Sequence, residues 1–299
     1  MLIKNLPKAI VVVGPTASGK TKLGVELARK FNGEIISADS RQVFKYLDIA
    51  TGKDLNEYGD VPYHLIDILK PSEVITVADF QKKAYSAIGK ILKRRKLPII
   101  VGGSPFYVYA ITKGWQFPKI EKDEKLRKKL NKLSLQDLRN ILQKIDPAAF
   151  SKIDQKNPRR LIRAIEICTL SGHNFEHAKP VAQPWYKALL LGIKFSNEEL
   201  KERIKNRLEQ RLNEGMIEEV QKIVKKKQAA YADLERLGLE PRFISYYLQK
   251  KISREQLEDL LLKNIYHFAK RQITWFGKDK KIIWVKNFAE AESIVKKFP

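Results

Sequence analysis

At 299 residues the chain can bury a full core, which excludes the small scaffolds that need disulfides or structural metals to hold together. Lysine and arginine number 58 against 34 aspartates and glutamates, and the formal net charge of +24 points to a polyanionic partner, nucleic acid ahead of an anionic membrane surface. No apolar run approaches the ~20 residues that span a bilayer, the opening MLIKNLPKAIVVVG lacks a signal-peptide cleavage pattern, and the single Cys168 allows neither an internal disulfide nor a zinc cluster, so a cytoplasmic protein without a membrane segment is expected.

Residues 8–13, KAIVVV, form a continuous apolar run ending at a glycine, the pattern of a buried parallel strand. A helical pattern, KTKLGVELARKF, follows with Leu23, Leu27 and Phe31 on one face. Between them Gly14, Pro15, Thr16, Ala17, Ser18, Gly19, Lys20 and Thr21 match G-x-x-x-x-G-K-[ST] at every defined position. In such a loop backbone N–H groups curl round phosphate oxygens and the helix N-terminus adds its positive dipole end. Lys20 supplies an ammonium and Thr21 a hydroxyl for Mg²⁺. An ordinary strand-turn-helix loop would not require lysine and threonine together behind its second glycine. The motif predicts a phosphate or diphosphate ligand without specifying a nucleotide.

A second strand, EIISA (34–38), runs into Asp39, Ser40, Arg41 and Gln42; Asp39 there either caps a helix or accepts a proton. T-V-A-D at Thr76 predicts a capping box opening an amphipathic helix that ends in KILKRRK, and a third strand, LPIIV (97–101), leads into GGS. Strands alternating with helices predict an α/β protein with a doubly wound parallel sheet, whose ligands bind beyond the carboxyl ends of its strands. Three such ends carry GPTASGKT, DSRQ and GGS. Ser104 before Pro105 suits the N-cap of the helix PFYVYAI and leaves its hydroxyl at the crevice mouth. The run IIVGGS lacks the Walker-B aspartate with which nucleotide hydrolases hold Mg²⁺, which weighs against that class.

Residues 115–186 break the alternation and predict a basic, helical insertion domain within a core of 1–114 plus 187–299. Its helices include LQDLRNILQKI and PRRLIRAIEICTL, where Arg159, Arg160 and Arg163 cover adjoining surface and Cys168 sits on the apolar side as packing. His173 and His177 are four apart in a loop-like stretch with no third ligand and are read as surface residues. KALLLGIKF (187–195) returns to the sheet, and S-N-E-E opens a helix at Ser196 on which Arg203, Arg207 and Arg211 recur every four residues. That stripe is either a solvated face paired with Glu199, Glu202 and Glu209 or a clamp for a departing diphosphate; spacing leaves both open. A last helix begins at Ser253 with Gln256 as capping partner and ends in AKRQITWFGK, where Lys270, Arg271 and Trp275 read as terminal cations and a core indole; KIIWV (281–285) supplies the final strand.

Taken in order through nearly the whole chain, GPTASGKT, ISADSRQVF, DIATGK, PYHLIDIL, ADF, LPIIVGGSPFY, NPRRLIRAIE, RIKNRLEQRLNEGMIEEV and AKRQITWF resemble the tRNA dimethylallyltransferase (tRNA isopentenyltransferase) family. The resemblance implies a P-loop kinase-like core with a helical insertion. It also implies transfer of a dimethylallyl group from dimethylallyl diphosphate to N6 of adenosine 37, beside the tRNA anticodon. Carried over by motif, Asp39 acts as general base on N6 and Ser104 orients the amine. The loop from Gly14 to Thr21 holds the diphosphate, and Lys20, Thr21 with Mg²⁺, and Arg207 stabilise the charge that grows on it. Asp39, Ser40, Arg41, Gln42, Ser104, Arg127, Arg159, Arg160, Leu161, Ile162 and Arg163 match positions that contact tRNA, with Gln42 beside the flipped adenine.

The sequence departs from the family pattern at Ser104, where threonine is usual, and at Arg159, which replaces glutamine. It also lacks the glycine-tyrosine pattern in 237–253, and the lone cysteine excludes a zinc finger, which gives a bacterial-type member. The expected partners are the tRNA anticodon stem-loop and dimethylallyl diphosphate, the expected cofactor is Mg²⁺, and a monomer is expected. A small-molecule kinase on the same core would need ATP, and a prenyltransferase for free adenine nucleotides would have little use for so much positive charge. A non-enzymatic RNA-binding protein would leave the phosphate loop without a purpose.

Overall fold

The computed structural model describes residues 6–117, 120–172, 175 and 184–298. The chain divides into two compact units, Met1–Thr112 with Pro184–Pro299, and Lys113–Gln183. The first unit opens with β1 (Lys8–Val13), α1 (Lys20–Lys30), β2 (Gly33–Ser37), α2 (Asp48–Thr51), β3 (Tyr63–His64), α3 (Val77–Lys93), β4 (Leu97–Gly102) and α4 (Pro105–Thr112). The second unit holds α5 (Glu124–Leu130), α6 (Leu135–Ile145), α7 (Pro147–Lys152) and α8 (Pro158–Ser171). The chain then returns to the first unit with β5 (Lys187–Ile193), α9 (Asn197–Asn213), α10 (Met216–Lys225), α11 (Tyr231–Leu237), α12 (Leu239–Leu248), α13 (Arg254–Gly277), β6 (Ile282–Val285) and α14 (Phe288–Lys297).

The six strands form one all-parallel sheet in the order β3-β2-β4-β1-β5-β6, the P-loop kinase-like arrangement. After β1 the chain moves to one side for β2 and β3, fills the gap with β4, and crosses β1 to place β5. The topological switch point therefore lies at the ends of β1 and β4, where an open α/β sheet binds its ligand. The central strands β1 and β4 are short apolar runs because both faces are covered, and Ala9 to Val13 are all buried. Ile10, Val12, Ile99 and Leu191 meet Leu23 and Leu27 of α1 and Ala291 and Val295 of α14 in a single core. The capping boxes at Thr76, Ser196 and Ser253 all form. The two-residue β3, paired Ile35 to Tyr63 and Ile36 to His64, leaves no mark in the sequence, because two residues are too few to show an alternating pattern. Among the described residues no helix is long and apolar enough to cross a membrane.

The helical unit has its own core of Leu130, Leu138, Leu142, Leu161, Ile162 and Ile165. One expectation is corrected here. Leu161 and Ile162, carried into the tRNA-contact segment, are 0% and 7% exposed, so their side chains serve that core and are out of reach of a nucleic acid. Arg127 and Arg163 both bind the fully buried Glu166: Arg127 donates to it twice at 2.7 Å and Arg163 once at 2.5 Å. Arg163 also donates to the Ile120 carbonyl at 3.1 Å. Arg159 and Arg160 are exposed, Arg160 within 3.7 Å of Asp154. Cys168 is buried, as packing requires; His173 and His177 lie outside the described residues.

Burial works to raise the pKa of Glu166, but the hydrogen bonds from Arg127, Arg163 and the Asp123 N–H outweigh it and hold the carboxyl at about 2. Glu166→Ala would strand two guanidiniums against an apolar core and should destabilise the helical unit by about 3 kcal/mol, read as faster hydrogen exchange across α5, α6 and α8. Because the folded pKa is depressed, the carboxylate's stabilisation is present above its ordinary value and fades as pH falls toward 2.

Candidate active site: a phosphate cleft at the ends of β1, β2 and β4

The phosphate loop leaves β1 at Gly14 and turns twice through left-handed backbone, at Ala17 (φ 62°) and Gly19 (φ 76°). These reversals point successive N–H groups into one concavity. Gly19 at the N-cap of α1 offers no side chain to the helix, and the first turn holds no acid, so the leading N–H groups and the positive dipole end are left for an anion. Lys20 reaches back to the Pro15 carbonyl at 3.1 Å. Burial, together with the neighbouring Arg207 and Arg211, lowers its pKa to about 8 against the pull of Asp39 and Asp54.

At the end of β2, Asp39 accepts the Arg41 N–H through Oδ1 at 2.9 Å. It caps a tight turn and no helix follows; Oδ2 has no partner among the described residues. The turn is braced by Ser104 at the end of β4, whose Oγ accepts the Ser40 N–H at 3.0 Å and lies 3.2 Å from the Ser40 hydroxyl. The expectation that this hydroxyl stands at the crevice mouth is corrected: Ser104 is 8% exposed and holds the Asp39 turn. Gly102 is required for this closeness, since a Cβ there would stand 2.2 Å from the Ala38 carbonyl oxygen. Gln42 is likewise committed internally, accepting from Ser37 Oγ at 2.7 Å and donating to the Gly52 carbonyl at 2.8 Å.

The phosphate loop, the Asp39 turn, the segment 48–57 and α9 enclose a cleft of about 780 Å³ that brings Lys20 and Thr21 together with Asp39, Asp54, Arg207 and Arg211. The arginine stripe of α9 thus faces the cleft, and its acid partners come from elsewhere in the fold. Arg207 forms a short hydrogen bond to Asp54, and Arg211 lies between Asp54 and Glu240. Arg203 stacks its guanidinium 4.8 Å from the Phe195 ring. Arg41 is held by Glu240 at 2.6 Å and lies over the Phe268 ring.

Two buried residues of this site escape a reading of the sequence. Gln272 of α13 accepts the Thr16 N–H at 2.9 Å and donates to the Gly103 carbonyl at 2.5 Å, tying the phosphate loop to the end of β4. A signal for it exists, since it occupies the stripe Leu257, Leu261, Ile265, Ala269, Gln272, Phe276, where an amide must be satisfied. Glu240 comes from the 237–253 stretch and carries no sequence signal of its own. Lys270 and Arg271 are not terminal cations, because α13 runs on to Gly277. Trp275 is 38% exposed, with its ring 5.1 Å from that of Phe106.

Fold and site together define a P-loop α/β protein with an anion-binding cleft. The family model for IPP transferase matches residues 42–279, and that for isopentenyl transferase matches residues 7–61. A curated relative, tRNA dimethylallyltransferase 2 of Shewanella sediminis, is 45% identical over 91% of this chain and 89% of its own. A crystal structure of the tRNA isopentenylpyrophosphate transferase of Bacillus halodurans aligns at TM-score 0.72 and 35% identity, covering 97% of this chain and 95% of that one. A eukaryotic dimethylallyltransferase, described as acting on tRNA, shares the fold at TM-score 0.81 and 24% identity over 98% of this chain and 80% of its own. The chain belongs to the IPP transferase family, which overturns the reading of a non-enzymatic RNA-binding protein.

Proposed function

We propose that the chain transfers a dimethylallyl group from dimethylallyl diphosphate to N6 of adenosine 37 in the tRNA anticodon loop. The observation that carries this reading is one cleft in which an uncapped helix N-terminus, Lys20 and Arg207 face Asp39, while β4 ends in Gly102, Gly103 and Ser104 with no acid for a hydrolase's metal. The lone pair of N6 attacks C1 of the dimethylallyl group. The C1–O bond breaks, its electron pair leaves with the diphosphate, and the N6 proton passes to Oδ2 of Asp39. Ser104 acts through Ser40, holding the turn that aims that carboxylate. Lys20 and Arg207 offset the charge growing on the leaving group.

Mg²⁺ is a hard cation that takes oxygen ligands, and the Thr21 hydroxyl in the cleft, beside the oxygens of a bound diphosphate, is a donor that fits it. No group of three or more His, Cys, Asp or Glu side chains that could hold a metal ion occurs among the described residues, so diphosphate and water would complete the shell. When bound, the metal would supply further charge neutralisation on the leaving diphosphate. The +24 charge serves the tRNA backbone, and affinity should fall steeply with salt.

The test is to incubate the protein with Mg²⁺, dimethylallyl diphosphate and unmodified tRNA, omitting ATP, and to look for prenylated adenosine by mass spectrometry. Modification of the anticodon loop is expected. Modification of free adenine nucleotide alone would overturn the tRNA assignment, and a strict need for ATP would favour the kinase.

A further inference from the structure

Three guanidiniums in the cleft, those of Arg41, Arg207 and Arg211, share two carboxylates, Asp54 and Glu240. Each carboxylate is committed first to another arginine, Asp54 to Arg207 and Glu240 to Arg41. Arg211 is left 3.5 Å from Asp54 and 3.9 Å from Glu240, and its Nη2, closed off from solvent, makes no hydrogen bond. Its side chain is only 9% exposed. The two carboxylates offset its charge at a distance, but a buried guanidinium with an unsatisfied donor is costly and would gain from an anion that closes on it. Burial and then the nearby Arg207 both push its pKa below the ordinary arginine value.

The surroundings are shaped to keep it there. Gly52 has φ 62°, and a Cβ on it would stand 1.7 Å from Nη2 of Arg211, so the guanidinium lies against bare backbone in the cleft wall. Asp54, also in left-handed backbone at φ 48°, sits on the same loop with a side chain 30% exposed. Its single negative charge is placed between two guanidiniums, as a phosphate group would be. Arg203 does not share this arrangement, since it lies over Phe195.

We propose that Arg211 is a further ligand of the diphosphate, and that Asp54 holds the place of a phosphate group until the diphosphate displaces it from Arg207 and Arg211. A diphosphate carries more charge and more acceptor oxygens than the carboxylate it replaces, and both planar guanidiniums can meet it in bidentate fashion. This rests on the prenyl-transfer reading, because it takes the diphosphate to be the anion of the cleft.

The test is calorimetric titration of the full chain with inorganic diphosphate and Mg²⁺, comparing wild type with Arg211→Met, Arg211→Lys and Asp54→Asn, with Tm measured for each. Wild type should bind. Arg211→Met should weaken binding about tenfold to a hundredfold, Arg211→Lys should fall between the two, and Asp54→Asn should tighten it several-fold. If wild type binds and both Arg211 variants bind equally well, Arg211 only braces the fold, whatever happens to Tm, and the proposal fails while the prenyl-transfer reading stands. Weaker binding by Asp54→Asn would make Asp54 part of the phosphate or metal site and overturn the displacement. Should Arg211→Met not fold, Arg211→Lys against wild type decides. No binding by wild type would remove the reading of the cleft itself, and this proposal with it.

Discussion

Asp39→Asn should lower prenyl transfer under saturating substrates by about two to four orders of magnitude, the usual range for losing a positioned base, while tRNA binding stays near wild type. The substitution is selective for a geometric reason. Oδ1 of Asp39 accepts the Arg41 N–H at 2.9 Å, and the side-chain carbonyl of asparagine can accept the same bond. The turn, braced independently by Ser104 through the Ser40 N–H, should therefore keep its shape. What is lost is the second oxygen as a proton acceptor. Single-turnover transfer together with filter binding of tRNA separates the two effects, and normal turnover in the variant would remove Asp39 from the chemistry.

The features legible in the sequence are local or periodic. The phosphate loop, the capping boxes and the strand ends are written in consecutive residues, so β1, β2, β4, β5 and β6, and the meeting of the ends of β1 and β2 at one crevice, can be read from the chain alone. Pairing across the fold is not legible. The spacing of Arg203, Arg207 and Arg211 shows a stripe and offers Glu199, Glu202 and Glu209 as partners. The actual partners of Arg207 and Arg211 are Asp54, more than 150 residues away, and Glu240 on α12. The same limit hides the pairing of Arg127 and Arg163 with Glu166, which nothing in their spacing announces. Ser104 departs from expectation for a subtler reason. Its neighbour Pro105 makes a helix cap the local choice, but the approach of β2 and β4 brings the Ser40 N–H within reach, and tertiary structure takes the hydroxyl.

Lys20 is the second residue whose loss should be severe. Lys20→Ala should reduce transfer by about two to three orders of magnitude, as for other groups that stabilise developing charge in a closed site, with most of the loss in the chemical step if the ammonium meets the diphosphate more strongly as the C1–O bond breaks. Its depressed pKa gives a second, independent readout. Near pH 8 the ligand-free lysine is only partly charged, since burial and the adjoining Arg207 and Arg211 hold its pKa at about 8. A bound diphosphate favours the ammonium, so binding at that pH takes up a proton, and affinity declines as pH rises further above the free-state value. Calorimetry in two buffers of different ionisation heat should detect the uptake with wild type. Lys20→Arg, whose guanidinium stays charged throughout this range, should bind without it. Equal proton uptake in both proteins would place the titrating group elsewhere, and with it the source of the pH dependence.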